Sequence, residues 1–174
     1  MQRWIALLRG VNVGGVAIRS AELAELFRGL GFDDVRTVLA SGNVVFTSGR
    51  TDASALKRDI ESALGERFGY DAWTVLTTDE HVAKVIEAFP FDADDAGRQP
   101  WVIFASDEAV LDEVASADGL DPDVDPIARG KGVVYWNPVK GTTTDTPFAK
   151  RLAKARFRPT TTNRNLRTLG KLLG

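Results

Sequence analysis

Apolar residues run unbroken from Trp4 to Leu8 between Arg3 and Arg9, and a run without polar alternation predicts a strand buried on both faces. The period then changes. Leu23, Leu26, Phe27 and Leu30 recur at helical spacing, with Ser20 as a good N-cap and Gly31 as the terminator. Val35, Thr37 and Leu39 alternate with Arg36, Val38 and Ala40 and predict a strand. Ser41-Gly42 reads as a two-residue hairpin turn into Val44-Val45-Phe46-Thr47. Leu56, Ile60, Leu64 and Phe68 mark a longer helix, capped by Thr51 or Asp52 and stopped near Gly69, and residues 72–76 predict a further strand. The order β-α-β-β-α-β is that of a ferredoxin-like unit.

The pattern then starts again. Val82, Val85, Ile86 and Phe89 give a linking helix, capped by Thr78, with Asp79 and Glu80 where the helix dipole favours acids and Pro90 at its end. After a polar loop over 92–99, Trp101-Val102-Ile103-Phe104-Ala105 is a second unbroken apolar strand. Ser106 caps a helix with Leu111 and Val114 inside. A proline-broken acidic stretch, 118–127, leads through Arg129-Gly130-Lys131-Gly132 into the strand Val133-Val134-Tyr135-Trp136, and the pattern leaves open a strand ahead of that turn. Thr146-Pro147 starts a helix burying Phe148, Leu152 and Ala155, and a last helix carries Leu166, Leu169 and Leu172 on one side. The expected fold is α+β, with two ferredoxin-like halves packed together, the second incomplete and ending in a helix in place of a final strand. The boundaries are 1–78, a linking helix and loop over 79–99, and 100–174.

Composition removes several chemistries. The 174 residues contain no cysteine, which excludes disulfides, thiolate zinc sites and cysteine nucleophiles. One histidine, His81, reads as an exposed residue in the first turn of a helix, so triads and metal sites built on several histidines are out. The first apolar run is too short for a signal peptide or a membrane span, so the expectation is a cytoplasmic protein with no membrane partner. The net charge of −2 conceals a split. Residues 140–174 carry nine Lys/Arg and one acid, Asp145, whereas residues 79–125 carry fourteen Asp/Glu against Lys84 and Arg98. A basic C-terminus folded on the acidic middle is preferred to a nucleic-acid-binding tail, because the tail reads as ordered helix.

The run Asp121-Pro122-Asp123-Val124-Asp125 fails as a calcium loop, with Pro126 where the turn glycine belongs and Gly132 where the bidentate glutamate belongs. It reads as a solvated acidic turn, like Asp92, Asp94 and Asp95, and neither a metal nor a cofactor is expected. The strand over 42–47 offers one Phe and no basic-glycine-aromatic lead, so it lacks the stacking surface of an RNA-recognition module.

The loop Arg9 to Gly15 is the candidate site. Its glycine spacing fits neither a dinucleotide fingerprint nor a P-loop, which leaves a looser nest of backbone N–H groups beside Arg9. In a β-α-β-β-α-β unit the first two strands run the same way, so this loop and the Ser41-Gly42-Asn43 turn share one end of the sheet. Near the C-terminus, Thr160 to Asn165 holds possible caps for the last helix, and Arg164 in its first turn has the wrong sign for the dipole unless it meets an acid or a bound anion. The preferred function is binding of a small anionic, phosphate- or nucleotide-like ligand. Arg9 and Arg164 supply charge, Asn12, Asn43 and Asn165 orient, Gly14 and Gly15 allow close approach, and Ser41 lies in the facing turn. One alternative is a protein-interaction or oligomerisation module in which Arg9 is a buried clamp. Another is a nucleic-acid accessory protein using residues 150–171. No catalytic residue is assigned, and monomer and homodimer both stay open.

Three segments together carry a resemblance: Ala6-Leu7-Leu8-Arg9-Gly10-Val11-Asn12-Val13-Gly14-Gly15, Ser41-Gly42-Asn43-Val44-Val45-Phe46, and Thr162-Asn163-Arg164-Asn165-Leu166-Arg167-Thr168. In this order they resemble the signature segments of the bacterial family called domain of unknown function 1697, over nearly the whole chain. Leu166 departs from the pattern, which often has Trp after Arg-Asn. The resemblance implies an α+β fold with two ferredoxin-like halves, and no established activity, cofactor or substrate.

Overall fold

In a computed structural model, which describes residues 1–12, 16–40, 42–105 and 107–174, the N-terminal apolar run forms β1 (Gln2–Leu8). It is an inner strand of a four-stranded antiparallel sheet. The order across that sheet is β2 (Asp33–Thr37), β3 (Asn43–Ser48), β1, β4 (Thr74–Thr78). Helices α1 (Ser20–Gly29) and α2 (Ala53–Phe68) supply Leu23, Phe27, Leu56, Ile60 and Leu64 to a core with Trp4, Ala6, Leu8, Val44 and Phe46. Phe32 stacks on Phe46 with centroids 4.4 Å apart, and Phe27 meets Phe46 edge-on at 5.4 Å, geometries that add to area burial. Alternation explains the rest of β1: Ile5 and Leu7 point away from this core and are also fully buried.

Local chemistry sets the ends of the helices. Asp52 caps α2 by accepting from Ala55 N at 3.1 Å, and Gly69 closes it at φ +67°. Ser20 is the first residue of α1, not its cap; the cap is Arg19, which makes no side-chain cap bond. The turn between β2 and β3 is longer than the two residues its Ser-Gly pair predicts. It spans residues 38–42, because β2 ends at Thr37 and the chain enters the left-handed region at Leu39 (φ +58°) and again at Gly42 (φ +79°). Val38 N donates to Asn43 O at 3.0 Å, and Asn43 Nδ2 returns a bond to Val38 O at 2.9 Å.

The second sheet has the same strand order: β6 (Ile127–Gly130), β7 (Val133–Trp136), β5 (Trp101–Ala105), β8 (Thr161–Asn165), again antiparallel. The open strand ahead of the 131–132 turn is thus β6. The expected incompleteness of this half is corrected by β8. Thr-Thr-Asn-Arg-Asn has no apolar alternation and looks like a cap region, yet it pairs with β5 from Thr161↔Ala105 to Asn165↔Trp101. Its threonines are β-branched and suit a pleated strand. The chain does end in a helix, α6 (Leu166–Leu173), with Leu166, Leu169 and Leu172 buried. Helix α4 (Glu108–Val114) is capped by Asp107; the expected cap, Ser106, lies outside the described residues. Helix α5 (Pro147–Leu152) is capped by Thr146, with Pro147 in the first turn. It stops before Ala155, which is exposed.

The acidic stretch before β6 is not all solvated. Asp125 is buried, and its two oxygens accept from Trp136 Nε1 at 2.9 Å and Phe148 N at 3.0 Å. An indole and a helix amide, both buried, draw this one carboxylate inward. Helix α3 (Asp79–Glu87) starts beside Thr78, whose hydroxyl accepts from His81 N at 3.1 Å. His81 is half-buried there, not exposed. Compactness divides the chain into two units, Met1–Val82 with Lys171–Gly174, and Ala83–Gly170.

Candidate functional site

At the end of β1 the first unit gathers several segments. Leu8 N donates to Gly42 O at 2.8 Å and Arg9 N to Trp73 O at 3.1 Å, so the loops after β1, before β3 and before β4 meet there. The described parts of the 9–15 loop and of the 41–43 turn therefore lie at one end of one sheet, as two parallel first strands require. Gly42 is dictated by this meeting: a Cβ on it would lie 2.9 Å from Leu8 Cβ, at a φ of +79°.

The loop after β1 is closed by its own polar groups. Val16 N donates to Gly10 O at 3.1 Å and Asn12 N to Val16 O at 2.9 Å. Asn12 sits at φ +61°, a region asparagine tolerates better than other side chains. Its Nδ2 donates to Ile18 O at 2.9 Å and Ala40 O at 2.7 Å, and its Oδ1 accepts from Ile18 N at 2.8 Å. Both amide protons of Asn12 are thus spent on the frame. Asn43 is fully buried and holds its own turn through Val38 O. Arg9 is half-buried at the rim. Of the expected site residues, Arg9, Asn12 and Asn43 come together here, while Gly14, Gly15 and Ser41 lie outside the described residues.

Arg164 and Asn165 belong to the second unit. Arg164 is a strand residue of β8 opposite Val102, not a residue in the first turn of a helix, so the dipole does not oppose it. It is buried, donates to Thr162 Oγ1 at 2.6 Å and Asn163 O at 3.0 Å, and burial lowers its pKa from the ordinary guanidinium value to about 10. Asn165 does cap: its Oδ1 accepts from Arg167 N in the first turn of α6 at 3.0 Å.

A polar group that sequence reasoning passed over flanks Arg9. Glu61 on α2 accepts from Thr74 N at 2.8 Å and Lys57 Nζ at 2.7 Å through one oxygen, Oε2. Lys57 Nζ lies 5.2 Å from the centroid of the Trp73 ring. The Lys57–Glu61 pair at i,i+4 was the signal available, and it is indistinguishable in sequence from an ordinary helix-surface pair.

The shared strand order makes the two units a control for each other. The connection from β1 to α1 takes residues 9–19, whereas that from β5 to α4 takes only 106–107. Likewise β2 to β3 takes 38–42 and β6 to β7 takes 131–132. Both longer connections lie at the same end of the first sheet. Chain length beyond what a topology requires is concentrated where binding loops occur.

Among the described residues no group of His, Asp or Glu is arranged to hold a metal ion, and no helix is long and apolar enough to cross a membrane. The class defined so far is a two-unit α+β protein whose first sheet carries its longer connections at one end. Residues 1–135 match the family model described as a protein of unknown function, DUF1697, and the chain belongs to that family. A solved structure with the same fold is that of a conserved bacterial protein from Streptococcus pneumoniae, at 24% identity, TM-score 0.82 and coverage of 99% of each chain. No curated protein matches the chain.

Proposed function

We propose that the elaborated end of the first sheet binds a small anionic, phosphate-like group, with Arg9 as its cation and the glycine-rich loop, Gly14 and Gly15 included, as its backbone cradle. The observation that carries this reading is the length contrast: residues 9–19 occupy a connection for which the same topology needs two residues. Asn12 and Asn43 act as the frame that holds the loop in a preformed shape, which lowers the entropy lost on binding. Gly10 (φ +72°) and Asn12 (φ +61°), both left-handed, turn successive peptide groups in directions that extended chain does not allow. In each unit the antiparallel order with the first strand between the third and fourth supports a ferredoxin-like assignment, with the units read as 1–78 and 100–174 joined by 79–99.

A second reading is favoured by the bonding of Asn12 and Asn43, whose amides serve their own loops. On it, the cluster is purely structural within an interaction or oligomerisation module. Thermal unfolding of the parent and of Arg9→Ala, each with and without inorganic phosphate, decides between the two. An anion at a hundred times its dissociation constant stabilises by about 2.7 kcal/mol. The binding reading expects that gain in the parent, its loss in Arg9→Ala, and an unchanged ligand-free melting point. A lowered ligand-free melting point in Arg9→Ala, with no gain from phosphate in the parent, establishes the structural reading.

A further inference from the structure

In each unit the second helix leads into the last strand, and the two helices differ in charge. Over α2 and its connection to β4, residues 53–73, Lys57, Arg58 and Arg67 stand among Asp59, Glu61, Glu66 and Asp71. Over α5 and its connection to β8, residues 147–160, the charged residues are Lys150, Arg151, Lys154, Arg156 and Arg158, with no acid. Like charges a turn apart repel, so a block of one sign costs stability that mixed signs do not. Two of the five cations are spent within the fold. Arg151 turns to the carbonyls beyond α4, and Arg156 meets Glu113. Lys150 and Lys154 are exposed, and neither ammonium makes a hydrogen bond or an ion pair with any described residue. Backbone bonds set their spacing. Lys154 N donates to Arg151 O at 3.1 Å and Arg158 N to Lys154 O at 2.9 Å, so the chain keeps turning beyond α5. Lys150, Lys154 and the exposed Arg158 therefore follow at four-residue intervals, about 5–6 Å apart at Cβ for a helical turn.

A row of cations at this spacing suits a chain that carries one negative charge per repeat. Phe148 and Phe157 are buried, and none of the large apolar side chains exposed among the described residues lies in this segment. It offers no aromatic face for bases to stack on, and no apolar side to enter a bilayer or a protein groove. We propose that Lys150, Lys154 and Arg158 form a surface that binds the phosphodiester backbone of a nucleic acid without reading its sequence. The basic region then divides its work: Arg151 and Arg156 hold it to the acidic residues and carbonyls around α4, while the lysines face outward. Such contacts act by counterion release, with dissociation constants on the order of 10⁻⁴–10⁻⁶ M at physiological salt. The surface lies in the second unit and does not depend on the Arg9 loop.

The test is fluorescence anisotropy of a labelled mixed-sequence oligonucleotide, single-stranded and as a duplex, titrated with the full chain at about 50 and about 200 mM salt. Three phosphate contacts on a single strand should cost the parent about 20-fold in affinity between the two salts, and somewhat more on the duplex. A second sequence of equal length should bind within about twofold. Lys150→Gln with Lys154→Gln should weaken binding at the lower salt by about tenfold and cut the salt effect to about threefold. Lys150→Arg with Lys154→Arg should bind like the parent. Arg58→Gln with Arg67→Gln removes the same charge from exposed positions of α2 and should change affinity by less than about twofold. All three double variants should melt like the parent, since the side chains changed are exposed. No binding at the lower salt overturns the proposal, as does equal weakening by the two glutamine pairs, which makes net charge the cause. Polyglutamate or phosphatidylserine vesicles that displace the oligonucleotide charge for charge overturn it too, and assign the surface to an acidic protein segment or an anionic bilayer.

Discussion

Asn12 reaches 28 positions along the chain: its Nδ2 donates to the Ala40 carbonyl at 2.7 Å, fastening the loop after β1 to the loop after β2. The same amide gives and takes bonds with Ile18. Asn12→Ala removes three bonds and leaves a Cβ residue in the left-handed region. The expected loss is about 2–4 kcal/mol, of which about 1–2 kcal/mol is backbone conformation. Asn12→Gly removes the same bonds without that conformational cost, so it should be the milder variant by about 1 kcal/mol in urea unfolding. Equal losses for the two would show that φ +61° costs alanine nothing here.

The elements built on apolar periodicity were legible in the sequence. Trp4 to Leu8 and Trp101 to Ala105 are inner strands, and the leucine spacing of α1, α2 and α6 gives helices whose marked faces are buried. What the pattern could not carry were elements made by tertiary pairing. The strand β8 is held by its partner β5, and no apolar alternation announces Thr161 to Asn165. Asp125 among Asp121 and Asp123 reads as one more surface acid, because only the fold brings Trp136 and Phe148 to it. At the site, the convergence of Arg9 with Gly42 and Asn43 followed from strand directions alone. The commitments of the Asn12 and Asn43 side chains did not, since an amide that frames a loop and an amide that binds a ligand are the same letter. The bond from Thr74 N to Glu61 was invisible for a related reason: the two residues are joined only by the packing of α2 over β4.

Asp125 gives a sharp stability prediction. Asp125→Ala strands two buried donors, Trp136 Nε1 and Phe148 N, and each costs on the order of 1–3 kcal/mol. A loss of about 3–5 kcal/mol is expected in urea unfolding followed by tryptophan emission. Asp125→Asn keeps one acceptor but turns an N–H₂ toward the other donor, so its loss should be smaller but above about 1 kcal/mol. A change within about 0.5 kcal/mol for Asp125→Ala would remove this carboxylate from the framework.

Two arginines of the basic C-terminal region separate geometry from charge. Arg151 donates to three backbone carbonyls at and just beyond the C-terminus of α4, Val114 at 2.8 Å, Asp118 at 2.7 Å, and Ser116. Arg156 pairs with Glu113 at the surface, with both side chains largely open to solvent. Arg151→Ala should cost about 1.5–3 kcal/mol and Arg156→Ala less than about 0.5 kcal/mol. Raising salt from low to about 1 M should erase the Arg156 contribution and leave most of the Arg151 one, because only exposed pairs are strongly screened. Equal costs for the two would show that ion pairing, not carbonyl capping, joins the basic and acidic regions.

Alkaline pH tests the buried phenols. Burial and the nearby Glu61 raise the Tyr70 pKa to about 12, and burial raises that of Tyr135, whose hydroxyl also donates to Val85 O at 2.7 Å. The unfolded chain ionises its tyrosines near their ordinary 10. Above that pH the unfolded state therefore binds fewer protons than the folded one, and stability falls as pH rises. The Tyr70 contribution is whole below pH 10 and is lost as pH rises through about 12. Arg164 acts with the opposite sign. Its folded pKa of about 10 lies below the ordinary guanidinium value of the unfolded chain, so its protonated form is disfavoured in the fold and stability rises between those values. The two slopes oppose each other over pH 10 to 12, and a bare stability profile would mix them. Absorbance at 295 nm separates them, since only phenolate contributes. The native protein, with two tyrosines, should titrate well above 10 and regain an ordinary midpoint in strong urea. In Tyr70→Phe about half the amplitude should vanish, and the remaining Tyr135 signal should still titrate above 10. A parent midpoint near 10 in the folded state would mean that neither hydroxyl is shielded.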